Sequence, residues 1–207
     1  MTRPLALLLL ALAAWPAVAT PPADEPPEPA APPAEPVDRW QILIQGNPAG
    51  EMTRRVDPED PAAELWTYTF NDRGRGPDLT TRLLLGADGA PLTIETTGHD
   101  YLKVPFQERF SRVLEEGRAT ARWENAHESG EKELTGSAFY LSYHSAVPEL
   151  ALLARALRAD ADGRIALLPA GEAALESTET IEVAAGERRR RVTRVAITGF
   201  DFTPVSV

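Results

Sequence analysis

The sequence predicts a mainly β domain of the α+β class, in which a highly curved antiparallel sheet of about ten strands wraps around one central helix. Short runs of alternating apolar and polar residues recur from Trp40 onwards and are separated by Gly, Pro, Asn and Asp. Only the segment 148–160 has strong helical periodicity. A single apolar helix among many strands indicates a sheet wrapped around it.

The helix is predicted over 148–160, because Leu150, Leu153 and Leu157 are spaced at i, i+3 and i+7 and share one face. Pro148 suits the first helical turn, where its missing N–H costs nothing. Asp162-Gly163 supplies a turn that ends the helix.

The first residues, 1–19, have the features of an export signal. Arg3 precedes an apolar run that is too short to span a membrane, and Ala17-Val18-Ala19 forms a small-residue cleavage site. The chain has no Cys, so export without disulfides favours a periplasmic or secreted protein.

Residues 20–36 are rich in proline, alanine and acidic residues, which predicts a disordered tether before a folded domain at 37–207. The net charge of −10 argues against nucleic acid as the main partner and disfavours anionic membrane surfaces.

The strands follow in order along the domain. They are predicted at Trp40–Gly46, Glu51–Val56, Leu65–Asn71, Leu79–Leu85, Pro91–Thr97, Val104–Leu114, Arg118–Asn125, Lys132–Tyr143, Arg164–Leu168, Ala173–Val183 and Arg189–Ile197. Gly86-Ala87-Asp88-Gly89 and Glu116-Gly117 are predicted as hairpin turns. Because 202–207 is still strand-like, we expect the chain to be the front part of a longer protein.

The three histidines, His99, His127 and His144, are isolated from one another, so we expect no metal site. Glu124 and His127 are three residues apart and would face opposite sides of a strand. Asp160-x-Asp162-Gly163 resembles the start of a calcium loop but lacks the later ligand positions, and a helix-ending turn explains it better.

Ser142, His144 and Ser145 are a weak candidate for a nucleophile and its base, because no G-x-S-x-G sequence surrounds either serine. No nucleotide-binding glycine motif is present either. We therefore predict no catalytic residue, metal ligand or cofactor in this chain.

The basic run Arg188–Arg191, with Arg194, has two interpretations. The favoured one is an exposed strand edge that is protected from aggregation; the other is a site for an anionic ligand.

Five aromatic residues are candidates for binding an apolar ligand. Trp66, Tyr68 and Phe70 share one strand face, and Phe139 and Tyr140 lie downstream. Such a stripe is typical of a core, but it could also line a cavity between a curved sheet and the helix.

Several segments together resemble the N-terminal module of exported bacterial amidohydrolase-family proteins. These are the segments 70–77, 85–91, 98–101, 151–157, 167–172 and 199–204. In that family a metal-binding barrel follows the module and hydrolyses C–N bonds. The resemblance therefore implies a non-catalytic accessory module whose partner is a barrel absent from this chain.

A looser resemblance, at the level of architecture, is to the half-barrel of periplasmic lipoprotein carriers. It implies an alternative function, a free-standing carrier that holds a lipid or another apolar ligand between sheet and helix. Fold analogy alone does not establish either function.

Overall fold

A computed structural model describes residues 38–115, 118–186, 188–199 and 205–207. The predicted export signal, the proline-rich tether and the turn at Glu116-Gly117 lie outside the described residues. Within these ranges the protein is mainly β, with one helix and two sheets. The helix is not long and apolar enough to cross a membrane.

The larger sheet has eight strands in the order of the chain, each antiparallel to the next. They are β1 (Asp38–Ile44), β2 (Asn47–Val56), β3 (Ala63–Phe70), β4 (Asp78–Leu85), β5 (Pro91–His99), β6 (Pro105–Glu115), β7 (Arg118–Glu124) and β8 (Ser129–Leu134). Short connections suffice because antiparallel neighbours can be joined by tight turns.

A second sheet contains the rest of the chain. Its members are β9 (Ala138–Tyr140), β10 (Arg164–Leu168), β11 (Glu172–Ala185), β12 (Arg188–Thr198) and β13 (Val205–Ser206), and β9 and β13 form its edges. The strands β9 and β10 are parallel, and a parallel pair needs a long crossover connection. The helix α1 (Glu149–Ala159) lies in this crossover. The expected sheet of about ten strands is therefore replaced by two sheets.

The helix extends over nearly the predicted range, with Pro148 at its N-cap. Leu153 and Leu157 are completely buried, but Leu150 keeps 36% of its surface exposed. Leu150 shares its angular sector with Leu157, so its exposure reflects its position in the first turn. Four residues that the spacing argument omitted are also buried, namely Leu152, Ala154, Ala156 and, beside the helix start, Val147.

One hydrophobic core joins the inward face of the larger sheet to the helix and the second sheet. Leu83 and Ile94 of the larger sheet, Leu153 of the helix and Ile197 of the second sheet are all fully buried within it. Burial of these side chains supplies the main driving force for the two sheets to pack around the helix.

Candidate functional site

A group of buried polar side chains lies where β6 meets the connection between β9 and α1. Glu108 of β6 retains only 1% of its surface, because it lies on the same inward face of the strand as the buried Phe106 and Phe110. Its Oε1 accepts the O–H of Tyr140 at 2.7 Å and the backbone N–H of Tyr143 at 2.9 Å. Burial raises the pKa of Glu108, and these hydrogen bonds offset part of that effect.

A second carboxylate holds the same connection from the helix side. Glu149 is the first residue of α1, and its Oε1 accepts the backbone N–H of Ser142 at 3.1 Å. The residue as a whole is partly exposed, yet burial of its carboxyl group raises the pKa of Glu149 to about 7. The charge of Glu108 raises this pKa further, so the two carboxyl groups interact electrostatically.

A hydroxyl group from the sheet supplies a third anchor for residues 141–148, which we call the 141–148 loop. Thr81 Oγ1 accepts the backbone N–H of Ala146 at 3.0 Å and lies 2.9 Å from Thr96 Oγ1. Both threonines are completely buried. The loop is thus fixed to β4, β6 and α1 through backbone donors, which positions its side chains accurately.

The anchored loop presents an aromatic side chain to solvent. Tyr143 is 52% exposed, and its ring centroid lies 4.5 Å from that of His127 and 4.8 Å from that of His144. Phe106 packs below, with its ring centroid 5.1 Å from His144 and 6.3 Å from Tyr143. We call these four residues the histidine–tyrosine cluster.

Three polar atoms beside the loop are buried and lack a hydrogen bond of good geometry, although Asn125 lies close enough to Glu108, and Ser142 to Glu149, to lower the pKa of each carboxyl group. They are Glu108 Oε2, Asn125 Nδ2 and Ser142 Oγ. Asn125 also organises the turn that carries His127, because its Oδ1 accepts the backbone N–H groups of His127 and Glu128. Buried polar atoms are usually paired, so these three atoms mark the surroundings of the loop as a candidate polar site.

The residues that the sequence suggested for catalysis or metal binding each make their own local contacts in the structure. Ser145 Oγ accepts the backbone N–H of Val147 at 3.1 Å, and the ring of His144 contacts aromatic side chains. His127 lies in a turn, not in a strand with Glu124. Within the described ranges, no three His, Cys, Asp or Glu residues are grouped as metal ligands. Asp160 Oδ1 accepts the N–H groups of Asp162 and Arg164, which closes the turn after the helix.

The five aromatic candidates separate into two environments. Trp66, Phe139 and Tyr140 retain at most 4% of their surface, with Trp66 stacked on Trp40 and Tyr140 on Phe110. Tyr68 and Phe70 are half-buried, and their rings meet edge to face at 5.6 Å. Binding of a ligand by this stripe stays a prediction, and Tyr68 and Phe70 are its accessible members.

A cavity beside the helix is lined by none of these five aromatic residues. Its volume is about 310 Å³, and its lining includes Ala90, Ala138, Ala156 and Ile165. A larger surface groove of about 780 Å³ crosses the outer face of β5 to β8 and contains Glu95, Arg109, Arg122 and Glu124.

Sequence reasoning did not identify Glu108, Asn125, Tyr143 or Glu149. One signal was available, because Glu108 occupies an inward position between Phe106 and Phe110 in an alternating strand. Glu149 carried no comparable signal, since acidic residues are common in the first turn of any helix.

No protein-family model, curated protein or solved structure matches this chain.

Proposed function

We propose that this domain is a non-catalytic N-terminal accessory module of an exported amidohydrolase-like protein. A metal-binding barrel outside these residues would carry out the hydrolysis of C–N bonds. The observation that carries this proposal is the way the 141–148 loop is held. Glu108 of β6 and Glu149 of α1 accept backbone N–H groups of this loop and thereby hold Tyr143 at the surface. Each of these Oε1 atoms is occupied by a backbone donor of the loop, which supports a role for the two carboxyl groups in holding a recognition surface.

Exposed apolar side chains in the loop and in the turn that leads into Phe106 support the same function. The turn between β5 and β6 exposes Leu102 by 64% and Val104 by 55%, and Tyr143 is exposed by 52%. This turn directly precedes Phe106, which packs against Tyr143 and His144. Exposed apolar and aromatic residues on a rigid support are typical of surfaces that bind another protein domain.

The reading frame around the coding sequence provides the first test. We expect it, or a neighbouring gene, to encode a barrel with a His-x-His metal-binding pair. The purified chain with added Zn²⁺ should not hydrolyse cyclic amides. Hydrolysis by this chain alone, abolished by a chelator, would contradict the proposal.

Mutation of the exposed residues provides the second test. Leu102→Ser combined with Tyr143→Ser should weaken association with the barrel at least about tenfold, since aromatic interface residues dominate binding energy. The matched control is Leu43→Ser with Val56→Ser, which removes similarly exposed apolar side chains from β1 and β2. Equal loss in both variants would argue against docking at the 141–148 loop.

The cavity between sheet and helix supports one alternative, a carrier with a half-barrel architecture. Its volume of about 310 Å³ and its alanine side chains suit part of an acyl chain, but Asp88 and Asp160 also line it and disfavour an apolar ligand. That volume lies at the lower end for ligand pockets, which are typically about 300–1,000 Å³. We therefore favour the accessory module.

A further inference from the structure

The outer part of the β11–β12 hairpin is a two-stranded ribbon. β10 pairs with β11 only at residues 172–174, and β13 pairs with β12 only at Ala196 and Ile197. Between these contacts and the tip, residues 179–185 and 188–194 pair only with each other within the described parts of the chain, whereas Val195 also exchanges backbone hydrogen bonds with Val207. Every residue from Arg188 to Arg194 is exposed, whereas Val195 is buried. We call this outer part the arginine ribbon.

One face of the arginine ribbon combines apolar and cationic side chains. The register places Ile181 opposite Val192 and Val183 opposite Arg190. Because alternate residues share a face, Arg188 and Arg194 lie on this face as well. Val192 is 38% exposed, so the apolar centre is accessible between the guanidinium groups.

Carboxylates neutralise the ribbon only in part. Glu182 pairs with both Arg189 and Arg191 on the opposite face, at 3.3 Å and 3.9 Å, and Glu179 pairs with Arg194 at 2.5 Å. Arg188 and Arg190 have no ion-pair partner in the part of the chain that the structure describes. The amphipathic face therefore carries excess positive charge.

We propose that the amphipathic face of the arginine ribbon docks on the headgroup layer of an anionic phospholipid bilayer. Guanidinium groups bind phosphate oxygens through paired hydrogen bonds, and the valine and isoleucine side chains can enter the apolar boundary below the headgroups. Exposed Val192 between Arg190 and Arg194 matches a bilayer surface, which offers phosphates and an apolar boundary side by side.

The acidic composition of the whole chain does not oppose this docking. The strand from Val195 to Arg188 spans roughly 23 Å at the usual rise per residue. Exposed charges are largely screened beyond about 8–10 Å at physiological salt. A bilayer at the tip therefore experiences the local arginines more than the net charge of −10.

Vesicle sedimentation tests the proposal with the full chain. We expect binding to vesicles of mixed phosphatidylglycerol and phosphatidylcholine at about 0.05 M salt, and much weaker binding at about 0.5 M salt. Vesicles of phosphatidylcholine alone should not bind. Failure to bind the phosphatidylglycerol vesicles at low salt would overturn the proposal.

Matched variants separate the ribbon from a general charge effect. Arg188→Gln with Arg190→Gln should weaken binding at least about tenfold, given the strength of a single arginine near an anionic surface. Arg155→Gln with Arg158→Gln removes the same charge from exposed helix positions and should change binding less than about twofold. Equal losses in the two variants would refute docking through the ribbon.

A third variant tests the apolar part of the face. Val183→Thr with Val192→Thr keeps the charge and the strand propensity, and should weaken vesicle binding severalfold; unchanged binding would overturn the insertion of these side chains. Inorganic phosphate at millimolar concentration should not compete. If it does, or if polyglutamate binds with the same arginine dependence while vesicles do not, the ribbon is an anion site or a protein-docking site and the proposal fails.

Discussion

The carboxyl groups of Glu108 and Glu149 both hold the 141–148 loop in place. Burial of a carboxylate is unfavourable unless hydrogen bonds compensate for its lost hydration. Both residues accept backbone N–H groups of the same loop, so their unfavourable burial is coupled to the position of Tyr143. We therefore expect both the stability and the loop geometry to depend on their protonation.

Glu149→Gln should remove a pH dependence of stability. Since the pKa of Glu149 is raised from 4.5 to about 7 in the folded chain, its contribution is fully present below about pH 4.5 and is lost as the pH rises to about 7. This pKa shift changes the free energy of unfolding by an amount on the order of 3 kcal/mol between these two pH values. Gln keeps the acceptor for Ser142 without titrating, and thermal melts between pH 4 and 9 measure the effect.

The control for this prediction is Glu95→Gln, which removes an exposed carboxylate from the outer face of β5. Its melting temperature should follow the pH profile of the wild type. Glu108 also has a raised pKa, so a residual slope in Glu149→Gln is expected. A profile of Glu149→Gln identical to that of the wild type would show that Glu149 is not buried as described.

Tyr140→Phe should destabilise the protein by about 1–3 kcal/mol, because it removes one of the two hydrogen bonds to Glu108 Oε1 and leaves that buried carboxyl group less satisfied. Burial and the bond to Glu108 both raise the pKa of Tyr140, so its hydroxyl group remains a donor at neutral pH. Urea denaturation measures the loss. Tyr68→Phe, at a half-buried tyrosine outside this cluster, should change stability by less than about 0.5 kcal/mol.

Among the elements, α1 is the one that links the two parallel strands of the second sheet. It forms the crossover between β9 and β10, and five of its residues are buried, including Leu153 and Leu157. The packing of α1 in the core thus determines whether β9 and β10 can form their parallel pair.

Leu153→Ala should lower the free energy of unfolding by about 2–5 kcal/mol, because it leaves a cavity at a fully buried position. Leu150→Ala makes the same chemical change at a position that is 36% exposed, and should cost less than about 1 kcal/mol. Chemical denaturation compares the two. Similar losses would mean that the first turn of α1 is packed as tightly as its centre.

At the scale of the whole molecule, Trp66 belongs to the single hydrophobic core that joins the larger sheet to the helix and the second sheet. Trp66 is only 4% exposed and is stacked on Trp40 at 5.4 Å. A side chain enclosed in this way behaves as core and not as the wall of an empty cavity.

Trp66→Ala should therefore cost about 3–5 kcal/mol, whereas Trp40→Ala, at an exposed position of β1, should cost clearly less. An uncharged long-chain monoacylglycerol should leave the melting temperature unchanged. A saturable rise of the melting temperature with its concentration would show a ligand that binds the folded state, and would favour the carrier function.

The sequence by itself determined the local structure of this protein. The strand with Trp66, Tyr68 and Phe70, the hairpin at Gly86–Gly89 and the helix within 148–160 all depend on neighbouring residues, and the structure contains each, although burial does not alternate along that strand. Tertiary structure alone decided that the strands divide into two sheets and that Glu108, Glu149 and Tyr143 come together. The contacts of Glu108 with Tyr140 and Tyr143 join residues 32 and 35 positions apart, and local periodicity contains no information about such pairing.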